Sequence, residues 1–264
     1  MTLKRTRPIR IGIGLQPQHA DYKTIRRAVV RAEEMGADAI FNWDHFFPLS
    51  GDPDGEHFEC WTMLGSWAEV TERIEFGPLV TCNSYRNPDL LADMARTVDH
   101  ASEGRLIFGI GAGWFQRDYD EYGYEFGTPG TRLAALAEAL PRIKGRWQQL
   151  NPPPTREIPI LIGGGGEKKT LRYTAEHAQI WHGFGAPEVI ERKNAILDAH
   201  CAQIGRDLAE IERSAGADAR SPEIGDALVE AGATFITIGF DGRNGYDLEP
   251  AADWLAWRDT KNSA

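Results

Sequence analysis

Residues 158–183 read IPILIGGGGEKKTLRYTAEHAQIWHG. The apolar run IPILIG (158–163) suits a buried strand, four glycines break it, helical periodicity follows over 167–177, and AQIWH (178–182) is strand-like again. The same alternation extends outward from this unit in both directions. Upstream, strands are expected at 9–15, 37–43, 73–82 and 105–111, and helices at 21–36, 58–71, 87–104 and 132–149. Downstream follow a helix at 187–204, a strand at 211–218, a helix at 222–231, a strand at 234–240 and a short helix near 250–257. Pro78 is awkward inside a strand and points to a bulge or an early break, while Pro141 and Gly145 weaken the helix that contains them. About eight β/α units favour an α/β fold of the closed (β/α)8 TIM-barrel type over an open doubly wound sheet. The whole chain, 1–264, is expected to form a single domain, with the aperiodic aromatic and acidic stretch 112–130 an inserted loop or lid.

Composition narrows the function classes. Hydrophobic residues make up 42% and charged residues 26% of the 264 residues, as in soluble globular proteins. No apolar stretch approaches the roughly 18 residues that span a bilayer, and the IGIGL run after the basic N-terminus is too short for a signal peptide. A cytoplasmic protein with no membrane partner is expected. Cys60, Cys82 and Cys201 are widely spaced, which argues against a disulfide framework or a thiolate metal site. A formal net charge of -10 argues against nucleic acid as a partner and leaves a small-molecule substrate. An acidic ligand would need a local positive site.

In a TIM barrel the chemistry sits in the loops that follow the strands. The glycines 163–166, followed by Glu167, Lys168 and Lys169, can turn backbone N–H groups inward as an anion nest at a helix N-terminus. Lys168, Lys169 and Arg172 would supply the cations. This run is not a P-loop, because the required glycine and lysine spacing is missing. GIGAGW (109–114) is not a dinucleotide fingerprint either; its glycines would let a ring system lie against the backbone. DHFFP (44–48) puts Asp44 and His45 at the tip of the second strand, where the carboxylate would orient or tune the imidazole for acid/base work. In TCNSYRNP (81–88), Asn83 and Ser84 could bond a ring edge or phosphate and Arg86 an anion, with Asn87 and Pro88 opening a helix. Trp43, Trp181 and Trp254 are expected in the core.

Taken together, WDHFFP (43–48), VTCNSYRNPDLLADMARTVDHASEGRLIFGIGAGW (80–114) and IPILIGGGGEKKTLRYTAEHAQIWHG (158–183) resemble the luciferase-like monooxygenase superfamily, and within it the oxidoreductases that use the deazaflavin coenzyme F420. The resemblance implies a tricyclic ring at the C-terminal mouth of the barrel, and coenzyme F420, or alternatively FMN, as cofactor. It implies a non-prolyl cis peptide within 81–83, with Thr81, Cys82 and Asn83 behind the ring. Gly111, Ala112 and Gly113 would be the backbone approaching the cofactor, and Gly163, Gly164, Gly165 and Gly166 with Lys168 the phosphate site. Asp44 and His45 would be the pair near the reactive end of the ring. Relatives are often dimers, so a homodimer is the implied assembly. One departure stands out: Trp114 occupies the place of the catalytic glutamate of the family's sugar-phosphate dehydrogenases, which points to a more apolar substrate. The expected activity is hydride transfer to or from a small organic molecule; an FMN-dependent monooxygenase and a non-catalytic flavin- or deazaflavin-binding protein are the alternatives. The general barrel rule expects phosphate after the seventh and eighth strands, whereas the glycine run follows the fifth.

Overall fold

The eight strand-like runs give nine strands, and all of them lie parallel in one sheet ordered β3-β2-β1-β9-β8-β7-β6-β5-β4. The structure is a computed structural model that describes residues 7–263; the ends of the chain, including most of its basic N-terminal stretch, lie outside the described residues. In chain order the elements are β1 (Arg10–Leu15), α1 (Tyr22–Glu34), β2 (Ala39–Asn42), α2 (Cys60–Val70), β3 (Glu75–Pro78), β4 (Thr81–Cys82), α3 (Pro88–Ala101), β5 (Phe108–Gly111), α4 (Gln116–Tyr122) and α5 (Pro129–Gln149). They continue as β6 (Ile160–Gly163), α6 (Thr170–His177), β7 (Ile180–Gly183), α7 (Pro187–Ile204), β8 (Glu212–Ala217), α8 (Gly225–Glu230), β9 (Phe235–Phe240) and α9 (Glu249–Ser263).

The expected strand 73–82 divides at Pro78, which ends β3. Leu79 and Val80 bulge out of the ladder, and β4 resumes against β5. The Leu79–Val80 peptide is cis, so the cis bond lies just upstream of the 81–83 segment where the resemblance put it. β3 and β4 therefore share one position of an eightfold TIM barrel. Closure runs through Phe76, whose N–H donates to the Arg105 carbonyl (3.1 Å) and whose carbonyl accepts from Ile107 N–H (2.8 Å). A side chain at Gly77 would overlap the Ile107 carbonyl oxygen, and one at Gly109 the Pro78 carbonyl oxygen. Only glycine lets β3 and β5 approach this closely.

Alternation divides the buried residues into two sets. Outward-facing Ile11, Ile13, Ile40, Phe108, Ile162, Trp181 and Ile236 pack under the helices, with Trp254 of α9 in the same cluster. Inward-facing Ala39, Phe41, Ile107, Leu161, Ile180 and Phe235 fill the lumen. Below that apolar plug Arg10 pairs with Glu75 and with Glu212 (2.9 Å), its guanidinium 4.4 Å from the centre of the Phe235 ring. The bottom of the barrel is closed by charge and its middle by apolar packing.

Helix starts follow local chemistry. The Asp21 carboxylate accepts from Thr24 N–H at the start of α1, and Asn87 accepts from Asp89 N–H ahead of Pro88. α5 starts earlier than periodicity suggests, capped by Thr128, and runs through Pro141, because buried Leu136, Leu140, Ile143 and Trp147 hold it along its length. α9 runs to Ser263, well past the short helix expected near 250–257. The 112–130 stretch is less loop-like than expected, since it carries α4.

The closure sets a stability test. Gly109→Ala should lower the unfolding free energy by at least about 3 kcal/mol, because backbone must move to admit the methyl group. Gly14→Ala should cost far less, since the nearest atom to a Cβ there is 3.6 Å away. Urea unfolding of both variants checks this, and equal effects would contradict the closure geometry.

Candidate active site

Above the apolar plug the lumen changes character. Alternation along the strands also turns Gly14, Gly111, Gly163, His182, Ser214, Gly216, Thr237 and Gly239 into the lumen. Although they lie within strands, Gly14, Gly163 and Gly216 are partly exposed and Gly239 is exposed. The top of the barrel is therefore a cup with a low floor. The Val80 side chain leans across one side of it, 2.8 Å from where a Cβ of Gly111 would stand and 2.9 Å from that of Gly163. Exposed Trp114 and Phe184, 63% and 73% accessible, stand at the ends of β5 and β7. This makes the rim aromatic.

His45, beyond the end of β2, is buried between rings: Trp43, Trp114 and Phe115 meet it edge-on, with centroids 6.2, 5.7 and 5.5 Å away. Trp43 thus belongs to the mouth, whereas Trp181 and Trp254 are core as expected. The His45 Nδ1–H donates to Asp118 Oδ2 at 2.7 Å, and the same carboxylate accepts from Tyr85 Oη (2.7 Å) and from Phe46 N–H (3.0 Å). Asp118 is fully buried. Its three donors fix the imidazole so that Nε2, which bonds no described residue, is the free nitrogen. Burial, helped by neighbouring Cys82 and Asp118, raises the Tyr85 phenol well above its usual range and keeps it a neutral donor. Half-buried His57 accepts from Trp43 Nε1 at 3.1 Å, and burial lowers its pKa to about 4.

Asp44 does not orient His45, and this corrects the pairing read from DHFFP. Its carboxylate turns away and accepts from Thr81 Oγ1 (2.5 Å), Cys82 N–H (3.1 Å) and both Nη atoms of Arg86 (2.6 and 3.1 Å). Arg86 also reaches Glu59 at 2.6 Å, so it is not available to a ligand anion. Although burial opposes the Arg86 charge, Asp44 beside it raises its pKa. This cluster locks β4 to the tip of β2. Thr81 and Cys82 are buried in that lock, while Asn83 is buried with its Oδ1 unpartnered. The glycines of GIGAGW also make room for the protein's own side chains. Gly111 makes room for Val80, and a Cβ at Gly113 would stand 2.6 Å from Cys82 Sγ and clash with Tyr119. Ala112 is partly exposed beside them.

The glycine run leaves β6 toward α6, which starts at Thr170, later than the expected 167. The backbone N–H groups of Gly165, Gly166 and Glu167 donate to no described residue. Gly164 has φ +128, and a Cβ at Gly166 would stand 2.7 Å from Thr170 Oγ1. Lys168 and Lys169 are exposed beside the run, but Arg172 pairs along its own helix with Glu176 at 3.7 Å. A cation not anticipated from sequence comes from α7: Lys193 Nζ donates to Gly165 O (2.6 Å) and pairs with Glu167 (2.8 Å), which also pairs with Arg192. Free amides, a helix start and adjacent ammonium groups form a cradle suited to a phosphate.

A model of the luciferase-like monooxygenase family matches residues 6–236. The phthiodiolone/phenolphthiodiolone dimycocerosates ketoreductase of Mycobacterium tuberculosis is 31% identical over 255 residues, covering 86% of this chain and 64% of that protein. The F420-dependent glucose-6-phosphate dehydrogenase of Amycolatopsis mediterranei is 27% identical over 177 residues, 60% of this chain and 52% of that protein. The chain thus spans under two thirds of either relative. Among solved structures, an F420-dependent secondary alcohol dehydrogenase in complex with an F420–acetone adduct superposes with a TM-score of 0.82 at 16% identity, over 94% of this chain and 97% of the other. That likeness is one of fold.

The buried imidazoles set a pH dependence. His182 is 1% exposed, and burial lowers its pKa from 6.5 to about 4. Between those values the unfolded chain takes up protons that the folded one does not, so stability is full above about pH 7 and falls on acidification toward pH 4. His182 alone accounts for about 3 kcal/mol of that fall, and His57 acts in the same direction. Urea melts at pH 7.5, 6, 5 and 4.5 should show the decline, with a shallower one for His182→Gln. A flat profile down to pH 5 would contradict the burial of neutral imidazoles.

Proposed function

Because this chain belongs to the luciferase-like monooxygenase family, we propose that it is a coenzyme F420-dependent oxidoreductase. In this reading it moves a hydride to or from a carbonyl or hydroxyl carbon on a small, largely apolar substrate. The observation that carries the reading is the cup itself: a floor low enough for a planar ring, next to a phosphate cradle and a histidine with one nitrogen free. The cofactor, once bound, supplies the hydride chemistry; the protein's share is position, charge and the proton. Gly165, Gly166 and Glu167 would hold the phosphate with their free amides, with Lys168 and Lys193 nearby. Val80 would form the wall behind the ring.

His45 Nε2 would give a proton to the carbonyl oxygen in reduction, or take one from the hydroxyl in oxidation. Asp118 would hold the tautomer and stabilise the imidazolium when it forms, as a buried carboxylate does behind other catalytic histidines. Asp44, with Arg86, has a supporting part: it holds β4 beneath the site. Trp114 and Phe184 favour an apolar substrate body over a sugar phosphate. Cations that could have met a phosphate on the substrate are engaged elsewhere, Arg86 by Asp44 and Arg117 by Asp54. The ketoreductase and alcohol dehydrogenase relatives fit this substrate class.

The test follows reduced coenzyme F420 by its absorbance with a panel of ketones, and the reverse reaction with secondary alcohols. His45→Ala and Asp118→Asn should each slow turnover by about 10²–10⁴-fold while cofactor affinity stays within about twofold. Unchanged turnover in both variants would remove them from the chemistry. Turnover that needs FMN and consumes oxygen would instead make the chain a monooxygenase. Tight cofactor binding with no turnover of any substrate would make it a carrier.

A further inference from the structure

His182 is the one histidine of the lumen floor that the proposed chemistry leaves unused. It stands on β7 in register with Gly163 on one side and Ser214 on the other. Its Nδ1 shares a hydrogen bond with Ser214 Oγ at 2.9 Å, and its Nε2 is buried with no partner. A buried polar atom left unsatisfied costs about 1–3 kcal/mol, and a neighbouring Asn or Gln could have satisfied it. None is there. Above the imidazole lies Phe184, perpendicular to it with centroids 4.7 Å apart, filling the space over Gly216. Phe184 is 73% exposed and flanked by Gly183 and by Gly185, whose φ is +135. Such a ring is a cover with little holding it down.

We propose that His182 Nε2 is a recognition point for the imide edge of the cofactor ring, reached when Phe184 swings off the floor. This rests on the reading that the cup holds a deazaflavin or flavin ring. The imide edge alternates acceptor, donor and acceptor (carbonyl, N–H, carbonyl). With Ser214 Oγ accepting from Nδ1–H, Nε2 is left an acceptor and the imide N–H is its donor. Burying that edge in the lumen without a partner would be unfavourable, and His182 Nε2 is a buried floor atom left without a partner among the described residues. Because burial keeps the imidazole neutral, it serves here as a hydrogen-bonding group and not as a countercharge. His182 is a positioning residue in this account: it sets how deep and at what angle the ring sits, while the proton belongs to His45.

The test is a binding cycle read by fluorescence on the purified chain. Wild type and His182→Ala are each titrated with 5-deazariboflavin 5′-phosphate and with its N3-methyl form, which lacks the imide N–H. Wild type should prefer the unmethylated ring by about tenfold, the effect of one hydrogen bond, and His182→Ala should lose that preference. Equal preference in both proteins would overturn the proposal while leaving the cup reading intact. No binding of either ring to wild type would instead overturn the cup reading itself. Should His182→Ala fail to fold, wild type labelled with 15N-histidine decides the matter. The His182 Nε2 resonance should shift on saturation with the ring, and an unmoved resonance, as expected if Nε2 bonds only a buried water, would overturn the proposal.

Discussion

The lumen of a parallel barrel must be filled, and in this chain the filling stops one level short of the top. Phe41, Phe235, Ile107, Leu161 and Ile180 close the middle, and Arg10, Glu75 and Glu212 close the bottom. At the next level glycines replace the bulky residues that usually form the top layer of such a barrel. Everything proposed for the site depends on that omission. A valine or leucine at Gly14 or Gly239 would fill the space in which a ring could lie, without being needed for packing.

The remaining constraints keep the cup from collapsing. The sheet closes through the contact of Gly77 with the Ile107 carbonyl and of Gly109 with the Pro78 carbonyl, and directly after that closure the chain leaves the ladder at Leu79 and Val80. Val80 is thereby placed over Gly111 and Gly163. The resumed strand is held by buried Asp44 with Arg86, which also reaches half-exposed Glu59; losing Arg86 would strand the buried Asp44 carboxylate without its charge partner. Across the mouth, Asp118 ties α4 to His45, Phe46 and Tyr85, so the segment that supplies the carboxylate is also the one that roofs the aromatic cluster. Local rigidity and the orientation of the imidazole have the same cause.

Much of this was legible in the sequence because it is local. The strand periods, the Asn87–Pro88 helix start, the break at Pro78 and the glycine run after a strand all follow from neighbouring residues. What was not legible depends on contacts across the barrel. Asp118 lies in an acidic, aromatic run that resembles a solvated surface, and nothing nearby marks it as the partner of a histidine 73 residues away. Asp44 is adjacent to His45 in sequence, yet successive residues of an extended segment point to opposite sides, which is why it pairs with Arg86 instead. Lys193 is an unremarkable position on an amphipathic helix until α7 packs beside the glycine run. His182 reads as one residue of an apolar strand, and only the register shows it facing the lumen.

The measurement that bears most directly on the account is a crystal structure of the chain grown with coenzyme F420. The account predicts the ring lying on the floor between Val80 and Phe184, its phosphate within hydrogen-bonding distance of the Gly165 and Gly166 amides, and its reactive carbon facing His45. A cofactor bound elsewhere would contradict it, for instance in the cleft at the opposite end of the barrel lined by Lys144, Trp147 and Arg156. So would a cup that stays empty at saturating cofactor.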